Sequence, residues 1–426
     1  MNSQELICAI KEGKLNDRFS DIYGDDAQRQ KGRYIDAIEK FSELYGNERD
    51  VYLFSVPGRS EVSGNHTDHN YGRVIAAAIN LDIIAIVSKN EDGTIRIKSE
   101  GYREDVVYIK DTLEPNEENF FKSRGIVAGM CRGFTDRGYS VGGGFDAYTT
   151  SEVFKGSGLS SSAAFEVMVG NIMNYLYNEG KVENAEIAKI AQFSENVYFG
   201  KPCGLMDQTA CAVGGFVNID FADPKNPIIV AIPFDLTKKG YSLCIVNTGG
   251  NHADLNDDYA SVPFEMKSVA AALGHEVLRD VTEEDVLKNI MCLREKCGDR
   301  AIMRAFHFIE ENKRVDRLAA ALKADDMDVF FSGLIESGNS SFKYLQNVYT
   351  TKNVAEQGLS LALCVTESFM RGRGGAFRVH GGGFAGTIQA FVPNDSVEAY
   401  RDTINGVFGE GACYVLKVRS YGAIMV

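Results

Sequence analysis

The stretch GRSEVSGNHTDHNYG (58–72) places an arginine, two histidines, two acids and several small polar residues within fifteen positions. Such a density of polar side chains predicts a ligand-binding loop. A metal site is one interpretation of His66-Thr67-Asp68-His69. However, an H-x-x-H pair on a loop lacks the i, i+4 helical spacing of zinc proteases. We therefore expect a loop that binds a polar ligand, without a metal of its own.

The stretch GSGLSSSAA (156–164) combines small residues with the start of a helical pattern. Backbone N–H groups and the positive end of the helix dipole converge at such a point, and small side chains allow an anion to approach them. No Gly-Lys-Ser/Thr follows, so it is not a Walker A loop. The sequence thus indicates a phosphate-binding loop, or alternatively a serine-rich helix cap.

Two further segments carry candidate residues. In KPCGLMDQ (201–208), Asp207 stands among apolar neighbours, with Glu195 twelve residues upstream. An acid in such a setting is partnered or functional, since burial of an unpaired carboxylate is costly, and a helix-capping aspartate is the open alternative. HGGGFAGTIQAFV (380–392) reads as a tight turn before a strand, or as a wall close to a ligand.

Helices and strands must position these segments, and they alternate irregularly along the chain. Helical spacing of Tyr34, Ile38 and Phe41 predicts a packed surface helix near the start. The remaining predicted elements are strands near 51–56, 74–88, 95–99, 106–110, within 142–154, and near 216–221, 241–247 and 414–418, and helices near 164–177, 184–199, 203–215, 281–297, 300–323 and 353–371. Mixed strands and helices without strict alternation predict an α+β fold, with a new unit beginning near 235–240.

Composition limits the classes of function. At 426 residues the chain is long enough for two domains, and a net charge of −14 argues against a nucleic-acid surface. Nine cysteines without a CxxC pair predict reduced thiols, not a zinc site. No run of eighteen apolar residues occurs, and the first residues are too polar for a secretory signal. We expect a cytosolic protein without membrane partners, whose anionic ligands need local positive charge.

In their order along the chain, these motifs resemble those of the galactokinase branch of the GHMP sugar and metabolite kinases. That family has a Pro-Gly-Arg loop leading to Gly-Glu-His-Thr-Asp-Tyr-Asn, which here reads PGRSEVSGNHTDHN. Its Gly-Leu-Ser-Ser-Ser-Ala-Ala, Cys-Gly-Ile-Met-Asp-Gln and Gly-Gly-Gly-Phe-Gly-Gly segments stand here as GLSSSAA, CGLMDQ and GGGFAG. Resemblance extends from about residue 40 to the end. It implies a two-domain GHMP kinase fold, with a ribosomal-protein-S5-like α/β domain over 1–235 and a ferredoxin-like domain over 236–426.

The resemblance also implies an ATP-dependent sugar 1-kinase, with galactose as the first substrate to consider. Asp207 would accept the proton of the C1 hydroxyl, and Arg59 would stabilise that carboxylate and the developing charge. Ser162 and Glu195 would hold Mg²⁺. The residues that would bind the ATP phosphates are Gly156, Ser157, Gly158, Leu159, Ser160, Ser161, Ser162 and Ala163. The residues that would line the sugar are Asn65, His66, Asp68, Gly204 and Tyr259. We expect a monomer or weak dimer.

Three departures from the family pattern concern the sugar. Asn65 replaces the family's glutamate, His69 replaces its tyrosine, and Tyr259 is not followed by the family's two arginines. An asparagine removes a charge that would repel an anionic sugar, and a histidine can be positive near neutral pH. These changes predict relaxed or shifted specificity, with a uronic acid or modified hexose as alternative substrates. A catalytically silent sugar sensor is a further alternative, which the presence of all four catalytic and metal-binding residues disfavours.

Overall fold

The computed structural model describes residues 1–153, 158–250 and 255–426. It has fourteen helices in this part of the chain: α1 (Ser3–Lys11), α2 (Asn16–Tyr23), α3 (Ala27–Tyr45), α4 (Ser123–Asp136), α5 (Ser161–Tyr177), α6 (Asn184–Phe193), α7 (Met206–Val213), α8 (Asn256–Ala272), α9 (Glu283–Lys288), α10 (Ile290–Cys297), α11 (Asp299–Ala324), α12 (Met327–Ser340), α13 (Gly358–Met370) and α14 (Val397–Phe408). The strands are β1 (Tyr52–Ser63), β2 (Arg73–Lys89), β3 (Thr94–Ser99), β4 (Asp105–Tyr108), β5 (Gly144–Ser151), β6 (Phe216–Asp220), β7 (Ile228–Ile232), β8 (Tyr241–Asn247), β9 (Ala376–His380), β10 (Thr387–Pro393), β11 (Cys413–Leu416) and β12 (Ile424–Met425).

The first sheet contains eight strands and carries the predicted ligand loop. Its order is β12-β1-β2-β5-β3-β4, with β6 pairing β2 and β7 pairing β6. Strand β1 continues to Ser63, so the expected loop begins later than predicted, and its ladder with β2 is irregular between Pro57 and Arg59 and between Glu61 and Ser63. Residues 53–63 are buried on both faces. In a strand covered on both sides, polar and apolar residues need not alternate. The sequence pattern therefore placed the end of β1 too early, at residue 56.

Helices α1–α3 cover one end of this sheet. Tyr34, Ile38 and Phe41 are fully buried against Leu53 and Ile84, which confirms the predicted packed helix and adds two shorter ones before it. Their contact with the sheet also includes a buried ionic cluster. There Asp82 accepts hydrogen bonds from Arg33 (2.6 Å), Tyr23 (2.7 Å) and Arg419 (3.2 Å), and also from Ser55. The N-terminal helices are therefore part of the same hydrophobic and ionic core as the sheet.

The second sheet is antiparallel, in the order β11-β8-β10-β9. One face packs on α13 and α14, and the other packs on α11, α12 and the β2 side of the first sheet. The two sheets divide the chain between Ile232 and Tyr241, but β12 returns from the end of the chain to pair with β1. None of the helices in the described part of the chain is long and apolar enough to span a bilayer.

Besides α1 and α2, four helices, α4, α8, α12 and α14, were not predicted. Helix α8 contains Pro263 in its interior, a residue that ordinarily predicts an interruption because it lacks an N–H and clashes with the preceding turn. Beyond α12 the chain makes a π-helical turn over 341–345. These elements place Tyr259 and Asn347 beside the glycine-rich turn at 381–383.

Candidate active site

The predicted chemistry converges on a cavity of about 200 Å³ at the start of α7. Its lining residues are Asp68, Ser162, Glu195, Lys201, Cys203, Gly204, Met206, Asp207 and Gln208. Five of the residues predicted from the sequence are therefore brought together. A larger, more open groove of about 610 Å³, bounded by Arg73, Arg279 and Lys313, contains none of them. The candidate site is therefore identified by the residues that line the smaller cavity and not by cavity volume.

Asp207 forms a bidentate ion pair with Arg59. The Nε and Nη2 atoms of Arg59 lie 2.7 and 2.8 Å from the two carboxylate oxygens, and the Ser160 hydroxyl donates to one of them. Burial raises the pKa of Asp207, but the charge and hydrogen bonds of Arg59 outweigh burial and hold it below its ordinary value. Asp207 is therefore ionised at neutral pH, and it still lines the cavity.

The phosphate loop leads into α5. Gly156 and Ser157 lie outside the described residues. Leu159 is buried, and Ser160 adopts a left-handed backbone conformation (φ 60°) as the residue before the helix. No side chain caps α5, because the Ser160 hydroxyl is bonded to Asp207. The backbone N–H groups of the first turn, at Ser161, Ser162 and Ala163, thus have no capping side chain, as an anion site requires. This geometry disfavours the serine-cap alternative.

Glu195 lies 3% exposed at the back of the cavity. Its Oε1 accepts from Lys201 (3.1 Å) and its Oε2 from the Gln208 amide (2.9 Å), which also donates to Glu166 (3.0 Å). Burial and the charge of Glu195 raise the pKa of Glu166 well above its usual value. Glu195 and Ser162 line the same cavity, so the structure brings together the two residues predicted to hold a metal.

The polar atoms of the Asn65 side chain are hydrogen-bonded to other groups of the protein. Its amide donates to Glu61 (2.8 Å) and to the Gly381 carbonyl (2.7 Å), and its carbonyl accepts from Asn347 (2.7 Å). The side chain is 1% exposed. A carboxyl group, that of Glu61, therefore lies beside Asn65 even though asparagine replaces the family's glutamate. The effect of Asn65 on the choice of sugar stays a prediction.

The other predicted sugar residues are divided between two places. Asp68 and Gly204 line the cavity, and a Cβ at Gly204 would lie 2.8 Å from an Asp68 carboxylate oxygen, so glycine allows this approach. His66 and Tyr259 instead hold the glycine-rich turn: their polar atoms lie 2.9 Å from the Gly382 carbonyl and 2.7 Å from the Gly383 carbonyl. The turn at 381–383 therefore contacts two of the predicted sugar residues, although it is not among the residues that line the 200 Å³ cavity.

His69 does not supply positive charge near neutral pH. Burial lowers its pKa to about 4, against a smaller opposing effect of Asp68. The expectation of a charged partner at this position is therefore wrong, because the ring packs beside His66 at 5.8 Å and not in open solvent.

Two buried histidines predict a pH-dependent stability. Burial lowers the pKa of His307 to about 4 and of His380 to about 3, so both are neutral in the fold. In the unfolded chain each takes up a proton near pH 6.5. Below that pH the unfolded state binds more protons, and stability falls by about 1.4 kcal/mol per pH unit for each histidine until the folded pKa is reached.

We therefore expect urea-unfolding midpoints to fall between pH 6.5 and pH 4.5, and His307→Gln to reduce this slope. His307→Gln remains able to bond the Asn65 carbonyl that His307 Nε2 contacts at 2.9 Å. His275→Gln, at an exposed position, is the matched control and should keep the wild-type slope. An unchanged slope in His307→Gln would contradict the assignment.

Residues absent from the sequence prediction also build the site. Gln208 bridges Glu166 and Glu195, and Lys201 pairs with Glu195. Both residues lie within the KPCGLMDQ segment, so their place beside Asp207 in the sequence could have indicated that they belong to the site. Their partners lie on α5 and on the π-helical turn after α6, and no spacing rule relates these elements.

Comparison with known families identifies two matching regions. Residues 39–89 match the galactokinase galactose-binding signature, and residues 125–215 match the GHMP kinases N terminal domain. The first region contains the predicted sugar loop, and the second contains the phosphate loop, Glu195 and Asp207.

Similarity to individual proteins extends over most of the chain. The galactokinase of Streptomyces coelicolor is 32% identical over 373 residues, which cover 87% of this chain and 92% of that protein. The crystal structure of Lactococcus lactis galactokinase complexed with galactose superposes with a TM-score of 0.75 at 25% identity, covering 91% of this chain and 98% of that one. Methanococcus jannaschii mevalonate kinase shares the fold (TM-score 0.61, 15% identity, covering 87% and 98%).

These matches confirm the predicted GHMP kinase fold and its combination of α and β layers. They extend across both sheets. The kinase family implies ATP as the co-substrate. The chain belongs to the galactokinase family of GHMP kinases, and it is a sugar kinase.

Proposed function

We propose that the protein transfers the γ-phosphoryl group of ATP to the anomeric hydroxyl of a monosaccharide, with galactose as the preferred substrate. The observation that carries the proposal is the Asp207–Arg59 pair, whose carboxylate lines the same cavity as Glu195 and Ser162. A proton acceptor thus lies next to an uncapped helix start suited to phosphate. Galactose is favoured by the galactose-binding signature and by the names of the relatives.

In the proposed reaction, the C1 oxygen forms a bond to the γ-phosphorus as the bridging β–γ P–O bond breaks. ADP leaves, and the proton of the C1 hydroxyl passes to Asp207. A carboxylate with a lowered pKa is a weak base, so its main contribution is to orient the hydroxyl and to accept the proton as the new bond makes it acidic. Arg59 holds the carboxylate through two hydrogen bonds and thereby fixes its orientation.

Ser162 and Glu195 would hold Mg²⁺, which would neutralise part of the phosphate charge. Mg²⁺ is commonly bound by one or two carboxylates, together with substrate phosphates and waters. The donor set fits this pattern: within the described ranges there is no cluster of three or more histidine, cysteine or acidic side chains that would form a complete protein cage. One buried carboxylate and one hydroxyl leave positions for the nucleotide.

The sugar would lie against Asp68 and Gly204, which share the cavity with Asp207. His66, Asn65 and Tyr259 would act mainly by holding the loop and the glycine-rich turn in place. Because Glu61 lies beside Asn65, a carboxylate on the sugar would meet a negative charge in this region. Neutral hexoses are therefore favoured over uronic acids.

A panel of sugars tests the proposal. With Mg²⁺ and ATP, we expect ADP release that depends on sugar and is fastest with galactose, compared with glucose, N-acetylgalactosamine and galacturonic acid. Phosphorus NMR of the product should show the phosphate on C1. Sugar binding without ADP release across the panel would contradict the proposal and favour a sensor. Faster turnover of galacturonic acid than of galactose would contradict the choice of substrate.

A further inference from the structure

The cavity that would receive phosphate is strongly acidic. Asp68, Glu195 and Asp207 line it, and among its described lining residues Lys201 is the one lysine or arginine. A polyphosphate carries several negative charges, so its entry beside three carboxylates requires compensating cations. The net charge of −14 gives no general attraction to such a ligand.

Arg59 cannot supply that compensation without giving up its present contacts. Nε and Nη2 bind Asp207, and Nη1 donates to the Gly158 carbonyl. Its side chain is 9% exposed. The guanidinium is therefore committed to holding the carboxylate and the phosphate loop in place.

Lys201 is placed differently. Its ammonium lies 3.1 Å from Glu195 Oε1, while 55% of its side chain is exposed. It follows Gly200, which ends the π-helical turn in a left-handed conformation, and the four-carbon side chain is flexible. Glu195 would remain held at Oε2 by Gln208 if Lys201 moved away. The ammonium can thus leave Glu195 for another partner within the cavity that Lys201 already lines, while Glu195 stays in position.

We propose that Lys201 is a phosphate-binding residue, which exchanges its contact with Glu195 for hydrogen bonds to the phosphate oxygens of the nucleotide. This inference rests on the proposed function, because it assumes that the cavity accepts ATP. It assigns a role to a residue five positions before the first residue of α7, the helix that carries Asp207. Lys201 stays protonated throughout.

Lys201→Met and Lys201→Gln test this assignment, with Lys201→Arg as the conservative variant. Hydrogen bonds between charged groups contribute about 1.5–3 kcal/mol, so loss of the charge should weaken ATP binding and raise the KM for ATP by roughly 10- to 100-fold. The KM for sugar should change by less than about 2-fold, since a uniform loss of phosphate binding leaves the sugar contacts intact. Lys201→Arg should retain most of the affinity.

Lys181→Met is the matched control, since Lys181 is an exposed lysine paired with Glu179 in the same half of the chain. ATP binding is measured by isothermal titration calorimetry, and thermal unfolding midpoints report folding. Lys201→Gln can keep a hydrogen bond to Glu195 without the charge. Weakened ATP binding in Lys201→Gln at an unchanged midpoint therefore supports phosphate binding over a structural role.

The two proposals fail in different ways. A wild-type enzyme that phosphorylates sugar, with Lys201→Met and Lys201→Gln binding ATP as tightly as wild type, would overturn the role of Lys201 alone. A wild type that binds ATP through Lys201 but phosphorylates no sugar would overturn the proposed function and support the role of Lys201. A wild type that binds no ATP would overturn both.

Discussion

Replacement of Asp207 with asparagine should lower kcat by roughly 10²- to 10⁴-fold and leave ATP affinity nearly unchanged. Asparagine keeps the size of the side chain and one oxygen for Arg59, but it cannot take up the proton of the C1 hydroxyl. The loss should therefore appear in turnover and not in nucleotide binding. Steady-state kinetics of ADP release and calorimetric titration with ATP measure the two quantities separately.

Asp220→Asn is the matched control for this variant. Asp220 is likewise paired with arginine, in its case with both Arg73 (2.7 Å) and Arg279 (2.8 Å), and it lies outside the lining of the 200 Å³ cavity. Both substitutions remove a carboxylate paired with arginine, and Asp220→Asn should retain turnover. If Asp207→Asn turned over sugar at a rate close to wild type, the carboxylate would be a structural partner of Arg59 and not the proton acceptor.

Asp82→Asn should lower the free energy of unfolding by about 3–5 kcal/mol. Asp82 is fully buried, and its carboxylate is the common acceptor for Arg33 and Arg419. Burial alone would raise the pKa of Asp82, but the charges of Arg33 and Arg419 have the larger combined effect and lower it. Asp82 is therefore ionised in the folded state. An amide in its place removes the carboxylate paired with the buried Arg419 and leaves Arg33 with the more distant carboxylate of Glu152 (3.6 Å), which is the reason for the large effect.

Urea unfolding monitored by far-UV circular dichroism measures this change, since the chain has no tryptophan for fluorescence. Asp136→Asn is the control, because Asp136 pairs with Arg132 at an exposed position. Exposed ion pairs contribute little, so its unfolding curve should lie close to wild type. An Asp82→Asn curve that overlapped both would show that the cluster contributes no net stability.

Prediction from sequence succeeded where a local pattern decides the structure. The small residues before Ala164 and the apolar helix after it identify the start of α5, and the structure places an uncapped helix there. Strands such as β2 and β8 were predicted because their apolar runs are long and bounded by turns. The fold class followed from the mixture of elements and from the resemblance.

The arrangement around Asn65 was beyond local reasoning. Its position in the motif indicates a residue that faces the sugar, whereas its amide is bonded to Glu61, Gly381 and Asn347. Asn347 is 282 residues away in sequence, and its approach depends on how α12 and β9 pack against β1. Pairing of Arg59 with Asp207, separated by 148 residues, has the same origin. The Arg59–Asp207 pair was predicted from the family resemblance, because the periodicity of the sequence gives no information on it.

Strand β12 has a consequence for how the molecule is made. Its residues pair with β1 at Phe54↔Met425 and Ser55↔Ile424, and Arg419 reaches the cluster around Asp82. At 5–20 residues per second, ribosomes need roughly 20–75 s to pass from β1 to β12. Until then the edge of β1 that β12 will cover is unpaired, and Asp82 lacks one of its two arginines. The first half of the chain is therefore an unfinished folding unit during synthesis, exposed to association through that edge, and its completion depends on residues translated long after β1.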